Sequence, residues 1–178
     1  RIYQQVHSGV TTARNYGLEK ASGELISFID ADDVWSQNKI ALQTGYFKKN
    51  QTLEVVIGFL LHKSFSNPDE LSEINLKKEK GAFALQLGCA LIKKEVFEIV
   101  GNFDESMKMS EDIDWFLRAR EKGINVFVHP EIVQFYRIHK HSMTNDKLLT
   151  NRYLLKAFKK SLDRKRAAGL ERSRGTLG

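Results

Sequence analysis

The chain is poor in cysteine and has no long hydrophobic run. Its single cysteine, Cys89, excludes an internal disulfide and fits a reducing compartment. No apolar run approaches the roughly 20 residues that a membrane-spanning helix needs, and the first residues lack the pattern of a secretory signal. No internal repeat is present. We therefore expect a cytoplasmic protein, in contact at most with the inner face of a membrane.

The charge of the chain is concentrated near its C-terminal end. The 178 residues carry a formal net charge of +6. Between residues 156 and 174, only Asp163 and Glu171 oppose eight bases: Lys156, Lys159, Lys160, Arg164, Lys165, Arg166, Arg172 and Arg174. Without this segment the chain is nearly neutral. We expect one core domain over residues 1–146 and a basic helix with a tail over residues 147–178.

The most informative stretch is residues 25–35, LISFIDADDVW. Its first half is an almost unbroken apolar run, which is typical of a short strand buried on both faces of a parallel sheet. Three carboxylates follow directly, on Asp30, Asp32 and Asp33. Ligands of open α/β sheets bind beyond the carboxyl ends of the strands. The pattern therefore predicts a binding site at this point.

Two interpretations of the three aspartates are open. Crowded carboxylates repel one another, so a positive group is expected among them. Mg²⁺ or Mn²⁺ suits oxygen ligands and is commonly held by one or two carboxylates together with substrate phosphates. Alternatively, the aspartates cap backbone N–H groups in a turn between strand and helix.

The surrounding segments alternate between helix and strand patterns. Helices are predicted over residues 10–22, capped by Thr11 or Thr12, and over residues 36–49. Strands are predicted over residues 1–6 and 83–92. In the helix over 36–49 the inward-facing residues would be Ile40, Tyr46 and Phe47. The alternation indicates an α/β fold.

A second acidic group starts another predicted helix after Ser110. Glu111, Asp112 and Asp114 lie in its first turn, where acids interact favourably with the helix dipole. A carboxylate at this position could instead serve as general base for an acceptor hydroxyl. Trp115 could stack on a sugar ring on the acceptor side, or it could belong to the core.

A third group follows two short predicted strands that are separated by Pro130. The sequence Tyr-Arg-Ile-His-Lys-His-Ser starts at Tyr136. His139 or His141 could supply a metal ligand, and Arg137 could hold phosphate. The alternative is a solvated polar loop.

Taken in order, the motifs resemble a known enzyme family. They are GVTTARNYGLEKASGELISFIDADDVW, GCALIKKEVFEIVGNFDE, SEDIDWFLRAREKG and YRIHKHS. In this order they are similar to the inverting nucleotide-sugar glycosyltransferases of family two, which have the GT-A fold. The resemblance reaches to about Ser142. It implies a Rossmann-like mixed sheet flanked by helices and transfer of a sugar from a nucleoside diphosphate to an acceptor hydroxyl.

The resemblance also implies roles for the acids and histidines. The aspartate motif would bind the donor: Asp32 on the ribose and metal side, Asp33 at the Mn²⁺ or Mg²⁺ ion, and Asp30 in support. His139 or His141 would close over the diphosphate and reach the metal.

The remaining site residues are assigned in the same way. Asp112 matches the catalytic base, with Glu111 beside it on the acceptor side. Arg14, in the Ala-Arg-Asn motif, would lie near the nucleotide. The donor is expected to be a UDP-sugar and the acceptor a saccharide or a lipid-linked molecule, as in the synthesis of cell-envelope polysaccharides.

The chain departs from the family pattern at its beginning. Family members start with a strand and loop that grip the nucleotide base, followed by a second strand that ends in another aspartate. Here the sequence opens just before the Ala-Arg-Asn helix. We expect an N-terminally truncated transferase that binds nucleotide-sugar poorly, and exposed sheet edges that favour self-association. The alternative is a catalytically inactive transferase-like module for binding or interaction.

Other functional classes fit less well. A phosphatase of the haloacid dehalogenase type needs a Gly-Thr pair after the second aspartate, and the chain has Asp33-Val34 there. The ligand spacing and central glycine of a calcium loop are missing. The basic segment over residues 156–174 predicts either membrane-surface contact or a solvated helix face. Its only aromatic residue is Phe158 and it contains no recognisable nucleic-acid-binding module, which argues against nucleic acid.

Overall fold

The computed structural model describes residues 1–140, 142 and 145–175. Its strands are β1 (Leu25–Ile26), β2 (Val34–Trp35), β3 (Val55–Lys63), β4 (Ala90–Lys93) and β5 (Val126–Arg137). Its helices are α1 (Val10–Lys20), α2 (Lys39–Lys49), α3 (Glu95–Val100), α4 (Glu111–Glu121) and α5 (Lys147–Gly175). Short 3-10 turns lie at Pro68–Leu71, Leu76–Lys78 and Leu87–Cys89.

The strands form a single mixed sheet in the order β1-β4-β3-β5-β2. The central pair, β3 and β5, is parallel, and the other three pairs are antiparallel. Pro130 does not divide β5 into two strands, because a bulge between the pairs Ile57–Val128 and Phe59–Ile132 accommodates it. The predicted mixed sheet with flanking helices is confirmed.

The strand before the aspartates differs from the prediction. β1 has two residues and lies at one end of the sheet, where Leu25 pairs with Lys93 of β4 in antiparallel orientation. The prediction of a buried strand in a parallel arrangement was therefore wrong. The chain leaves the sheet after Ile26, and the Ser27 hydroxyl then donates to the carbonyl of Ala90 (2.5 Å). Both end strands of the described sheet are short, and self-association through their edges stays a prediction.

The N-terminal segment also differs. Residues 1–9 form no strand and are exposed, so the strand predicted over residues 1–6 was wrong. No strand of the described sheet lies beside this segment to form backbone hydrogen bonds with it.

The two sheet faces bury different helices. Val55, Ile57 and Ile92 face the core formed by α1, α3 and α4, whereas Val56 and Leu91 face α2. The Trp115 ring is fully buried in the first of these cores, with its centroid 4.8 Å from that of Phe97. Its indole N–H donates to the carbonyl of Gly101 (2.9 Å). The expectation that Trp115 contacts an acceptor is corrected, because the ring has no exposed surface.

Helix α2 turns polar residues toward the sheet. Lys39 is fully buried, although Ile40 was predicted to face inward and is 46% exposed. The Lys39 ammonium donates to Gln43 Oε1 (2.7 Å), Ser27 Oγ (3.0 Å) and the carbonyl of Ala90 (3.1 Å). Burial lowers the pKa of Lys39 to about 7. Of the other predicted inward residues, Phe47 is buried and Tyr46 is half-buried.

Helix α5 packs on α4 through its polar face. Ala157 and Ser161 are buried there, and Arg164 pairs with Asp114 (3.1 Å) and Glu121 (2.6 Å). The predicted division between residues 146 and 147 stays a prediction. Within the described part of the chain, no helix combines the length and hydrophobicity needed to cross a bilayer.

Replacing Lys39 should cost more stability than replacing its apolar neighbour Ile40. Lys39→Met leaves the buried Gln43 Oε1 without its donor and removes one donor each from the Ala90 carbonyl and Ser27 Oγ, so we expect the free energy of unfolding to fall by about 2 kcal/mol or more. Ile40→Met changes a half-exposed side chain and should stay within about 0.5 kcal/mol. Urea unfolding followed by circular dichroism measures both. An equal loss in the two variants would contradict this account of α2.

Candidate active site

The acidic side chains and the arginine of one cavity of about 350 Å³ come from three parts of the chain. They are helix α1, the loop after β1 and the start of α4. The lining residues are Val10, Arg14, Asp30, Asp32, Gln86, Lys108, Met109, Ser110, Glu111, Asp112, Tyr136, Ser142 and Thr150. Thus two of the three aspartates of the first acidic group share a cavity with two acids of the second.

Hydrogen bonds hold helix α1 against the segment that precedes α4. Thr11 Oγ1 is buried and donates to the carbonyl of Met107 (2.7 Å). The Asn15 side chain accepts from the N–H of Phe103 (2.9 Å) and donates to its carbonyl (3.0 Å). The prediction that Thr11 or Thr12 caps the helix was wrong: Gly9, with φ +91°, precedes the first turn and no side chain caps it.

Arg14 joins the two acidic groups. Its guanidinium donates to Asp30 Oδ1 (2.6 Å) and, through the other terminal nitrogen, to Glu111 Oε1. The Arg14 side chain is only 13% exposed, and that of Glu111 is 6% exposed. A planar guanidinium has several donors in fixed directions, so it can bind two carboxylates on different elements at once.

Asp32 and His139 come together at the edge of the cavity. Asp32 Oδ2 lies 2.8 Å from His139 Nε2, and both side chains are partly exposed. The two residues are 107 positions apart in the sequence. The structure therefore joins an aspartate of the first group to a histidine of the third. His141 lies outside the described residues.

Asp33 points away from the cavity into the protein. One of its oxygens accepts from the backbone N–H of Arg137 (2.9 Å) and the other from Gln134 Nε2. Burial raises the pKa of Asp33 to about 6, and these hydrogen bonds oppose the increase. In this conformation both oxygens are engaged in structural hydrogen bonds; the predicted metal role of Asp33 stays a prediction.

The position of Asp33 depends on Gln134, a residue that no sequence motif marks. Gln134 is almost fully buried, and its Oε1 lies 3.1 Å from Cys89 Sγ while its Nε2 donates to Asp33. A Cβ atom at Gly88 would lie 2.4 Å from Gln134 Oε1. The Gln134 side chain therefore approaches the backbone closely at Gly88. An isolated glutamine in a strand gives no signal for this role.

Asp112 lies in the cavity wall at the start of α4. It is half-buried, and burial raises its pKa to about 6, although the N–H of Ile113 donates to Asp112 Oδ1 (2.8 Å). Ser110, just before the helix, has φ +56°, a conformation that is unfavourable for a residue other than glycine. Ser110 and the two carboxylates that follow it, Glu111 and Asp112, all line the cavity.

The cavity suits a cation only if a ligand contributes further oxygens. Four acids line it, and Arg14 and Lys108 are the only Lys or Arg side chains among its lining residues. Among the described residues, no group of three or more His, Cys, Asp or Glu side chains has the geometry of a metal site. Asp32 and His139 supply two potential ligands. That number fits an ion that is completed by phosphate oxygens and water.

Comparison with known proteins identifies the family. Residues 1–109 match the model of Glycosyl transferase family 2. The chain belongs to this family. The matched segment contains Arg14 and all three aspartates of the first group and ends just before Asp112.

Relatives and solved structures agree with this membership. The chain is 29% identical over 159 residues to an uncharacterized glycosyltransferase of Rickettsia typhi, covering 82% of the chain and 49% of the relative. It is 25% identical over 146 residues to the Escherichia coli UDP-Glc:alpha-D-GlcNAc-diphosphoundecaprenol beta-1,3-glucosyltransferase WfgD, covering 78% and 55%. The mannosyltransferase PcManGT of Pyrobaculum calidifontis, solved with GDP-Man and Mn²⁺, is structurally similar. Its TM-score is 0.62 at 19% identity, over 87% of the chain and 44% of that protein.

These comparisons confirm the family and the GT-A fold. They also show that the chain spans about half the length of the curated relatives it matches.

Removing the guanidinium of Arg14 should loosen the site. Arg14→Met leaves Glu111 buried without its partner, so we expect the free energy of unfolding to fall by about 2–3 kcal/mol. Lys20→Met is the matched control: it removes an exposed pair with Glu19 and should cost at most about 0.5 kcal/mol. Thermal or urea unfolding measures both. Losses of equal size would show that Arg14 does not hold the two acidic groups together.

Proposed function

We propose that this chain carries the catalytic acids of a metal-dependent, inverting glycosyltransferase. The supporting observation is that Asp32 and Asp112, from a loop after a strand and from a helix start, line the same cavity. Sugar transfer needs charge neutralisation at the leaving diphosphate and proton removal from the acceptor hydroxyl. Two acidic groups of different origin in one cavity suit these two tasks.

The donor side would be formed by Asp32 and His139. When bound there with a nucleoside diphosphate, Mn²⁺ or Mg²⁺ would neutralise the negative charge that develops on the leaving group. The contact between the carboxylate and the imidazole (2.8 Å) already places two potential ligands together. Asp30 would support this side through its ion pair with Arg14. The Mn²⁺ complex of PcManGT is consistent with a divalent cation in this fold.

The acceptor side would be served by Asp112 as general base. Its carboxylate faces the cavity and forms no ion pair with any basic side chain that the structure describes, whereas the neighbouring Glu111 is bound to Arg14. A pKa of about 6 keeps Asp112 ionised at neutral pH and makes it a stronger base than an ordinary aspartate. In-line attack by the activated hydroxyl on the face opposite the diphosphate inverts the sugar configuration.

The donor and acceptor are proposed from a named relative. WfgD takes UDP-Glc as donor and a diphosphoundecaprenol-linked sugar as acceptor, by its name. We infer a UDP-sugar donor and a saccharide or lipid-linked acceptor for the present family member. The alternative is a catalytically inactive module for binding or interaction, and an assay of UDP release distinguishes the two.

The complete enzyme is proposed to be longer than this chain, because the chain spans only about half of its relatives. Part of the nucleotide pocket would then be contributed by other segments. We expect isothermal titration of the chain with UDP and Mn²⁺ to show binding weaker than micromolar. Micromolar binding would contradict this proposal.

The base assignment predicts a specific pH dependence. Asp112 accepts a proton only when ionised, so the rate of UDP release from millimolar UDP-glucose should fall as the pH drops through about 6. Asp112→Asn should lower the rate by a factor of about 10²–10⁴ and abolish this acidic limb. A coupled assay of UDP release at pH 5–8 measures both effects.

Asp114→Asn is the matched control on the same helix. Asp114 is buried and pairs with Arg118 (3.0 Å) and Arg164 (3.1 Å), away from the cavity. Its replacement should reduce stability but leave the rate per folded molecule and the pH profile unchanged. Equal rates for the wild type and Asp112→Asn would refute the base assignment. The inactive module would be favoured if no UDP is released, or if UDP is released at a rate that neither substitution changes.

A further inference from the structure

One face of α5 carries apolar side chains that no other described element covers. Leu148, Leu155 and Leu162 recur every seven residues, and Phe158 lies beside them. They are 86%, 68%, 53% and 45% exposed, respectively. Because an α-helix turns about 100° per residue, these four side chains form a narrow line along the helix. We refer to these four residues as the outer strip.

The opposite face of the helix is the one that packs on the protein. Ala157 and Ser161 are buried, and Arg164 pairs with Asp114 and Glu121 of α4. Lys160 likewise pairs with Asp104. The outer strip is therefore held in a fixed orientation, away from the core.

Basic side chains flank the outer strip on both sides. By helical position, Arg152, Lys159 and Arg166 lie along one side, and Lys147 and Lys165 lie along the other. All five are exposed. Asp163 is the acid nearest the strip among the described residues of the helix, and it lies 3.8 Å from Arg166. The face thus combines an apolar line with a strongly positive border.

We propose that α5 docks through the outer strip on an anionic membrane surface. Apolar side chains in the centre of a helix face would enter the boundary between headgroups and acyl chains, and flanking bases would meet anionic headgroups. The charge pattern distinguishes this partner from a second copy of the chain. If two copies packed together through this face, the five bases of one copy would lie close to the five bases of the other, and their repulsion is unfavourable.

This orientation would bring the cavity close to the membrane. Thr150, in the first turn of α5, lines the cavity from the side opposite the outer strip. A helix is about 10 Å thick, so the cavity would lie about that far above the headgroups. A lipid-linked acceptor would reach this height with its polar head. The docking itself does not depend on the proposed transfer reaction, because it requires neither donor nor catalytic acid.

Sedimentation with vesicles tests the proposal. The protein should pellet with vesicles of phosphatidylglycerol and phosphatidylcholine at low salt, much less at high salt, and hardly with phosphatidylcholine alone. Leu155→Glu should weaken the partition at least about twentyfold, because it removes apolar contact and adds a negative charge. Lys159→Gln should weaken it about fivefold.

Ala167→Glu is the matched control. Ala167 is exposed on α5 but lies outside the outer strip, so the same added charge should weaken the partition at most about fivefold. Circular dichroism checks that all variants fold. Equal effects of Leu155→Glu and Ala167→Glu, or the absence of binding to phosphatidylglycerol vesicles, would overturn the proposal. Self-association abolished by Leu155→Glu, without vesicle binding, would assign the strip to a second copy instead.

Discussion

The site depends on the double ion pair of Arg14. Four carboxylates line one cavity, and they would repel one another if no cation lay among them. The Arg14 guanidinium pairs with Asp30 and Glu111, so Asp32 and Asp112 are the two cavity carboxylates that no described Arg or Lys side chain pairs with. It also sets the separation between the loop after β1 and the start of α4. The hydrogen bonds of Thr11 and Asn15 to the segment before α4 hold the helix that carries Arg14 in place.

A buried polar layer behind the cavity gives the loop after β1 its shape. Asp33 accepts from Gln134 and from the backbone of Arg137, and Lys39 donates to acceptors on three separate segments. Such groups cost free energy unless each has a partner, so they select one arrangement of the chain. The aspartate motif therefore has two roles: Asp32 faces the cavity and Asp33 anchors the loop to β5.

The sequence was sufficient for the fold class and for the convergence of the two acidic groups. The α/β class follows from alternating local patterns, whereas the GT-A sheet and the common site of the two acidic groups were implied by the order of the motifs, which resembles family two. The direction of Asp33 was not predictable, because its partner Gln134 is 101 residues away. The same holds for β1, whose edge position depends on pairing with β4, and for Lys39, whose burial depends on acceptors from other strands and loops. Trp115 was ambiguous because an aromatic residue near an acidic motif fits a core as well as a sugar site.

The central claim is that Asp32 belongs to a site that an ion and a diphosphate complete together. The water proton relaxation rate of a Mn²⁺ solution tests it most directly, since the rate increases when the ion is held on a slowly tumbling protein. The account predicts an increase when protein is added to Mn²⁺ with millimolar UDP, little change without UDP, and no increase with Asp32→Asn. Asp69→Asn, an exposed acid outside the cavity, should behave like the wild type. An increase that is the same in Asp32→Asn, or that does not need UDP, would contradict the account.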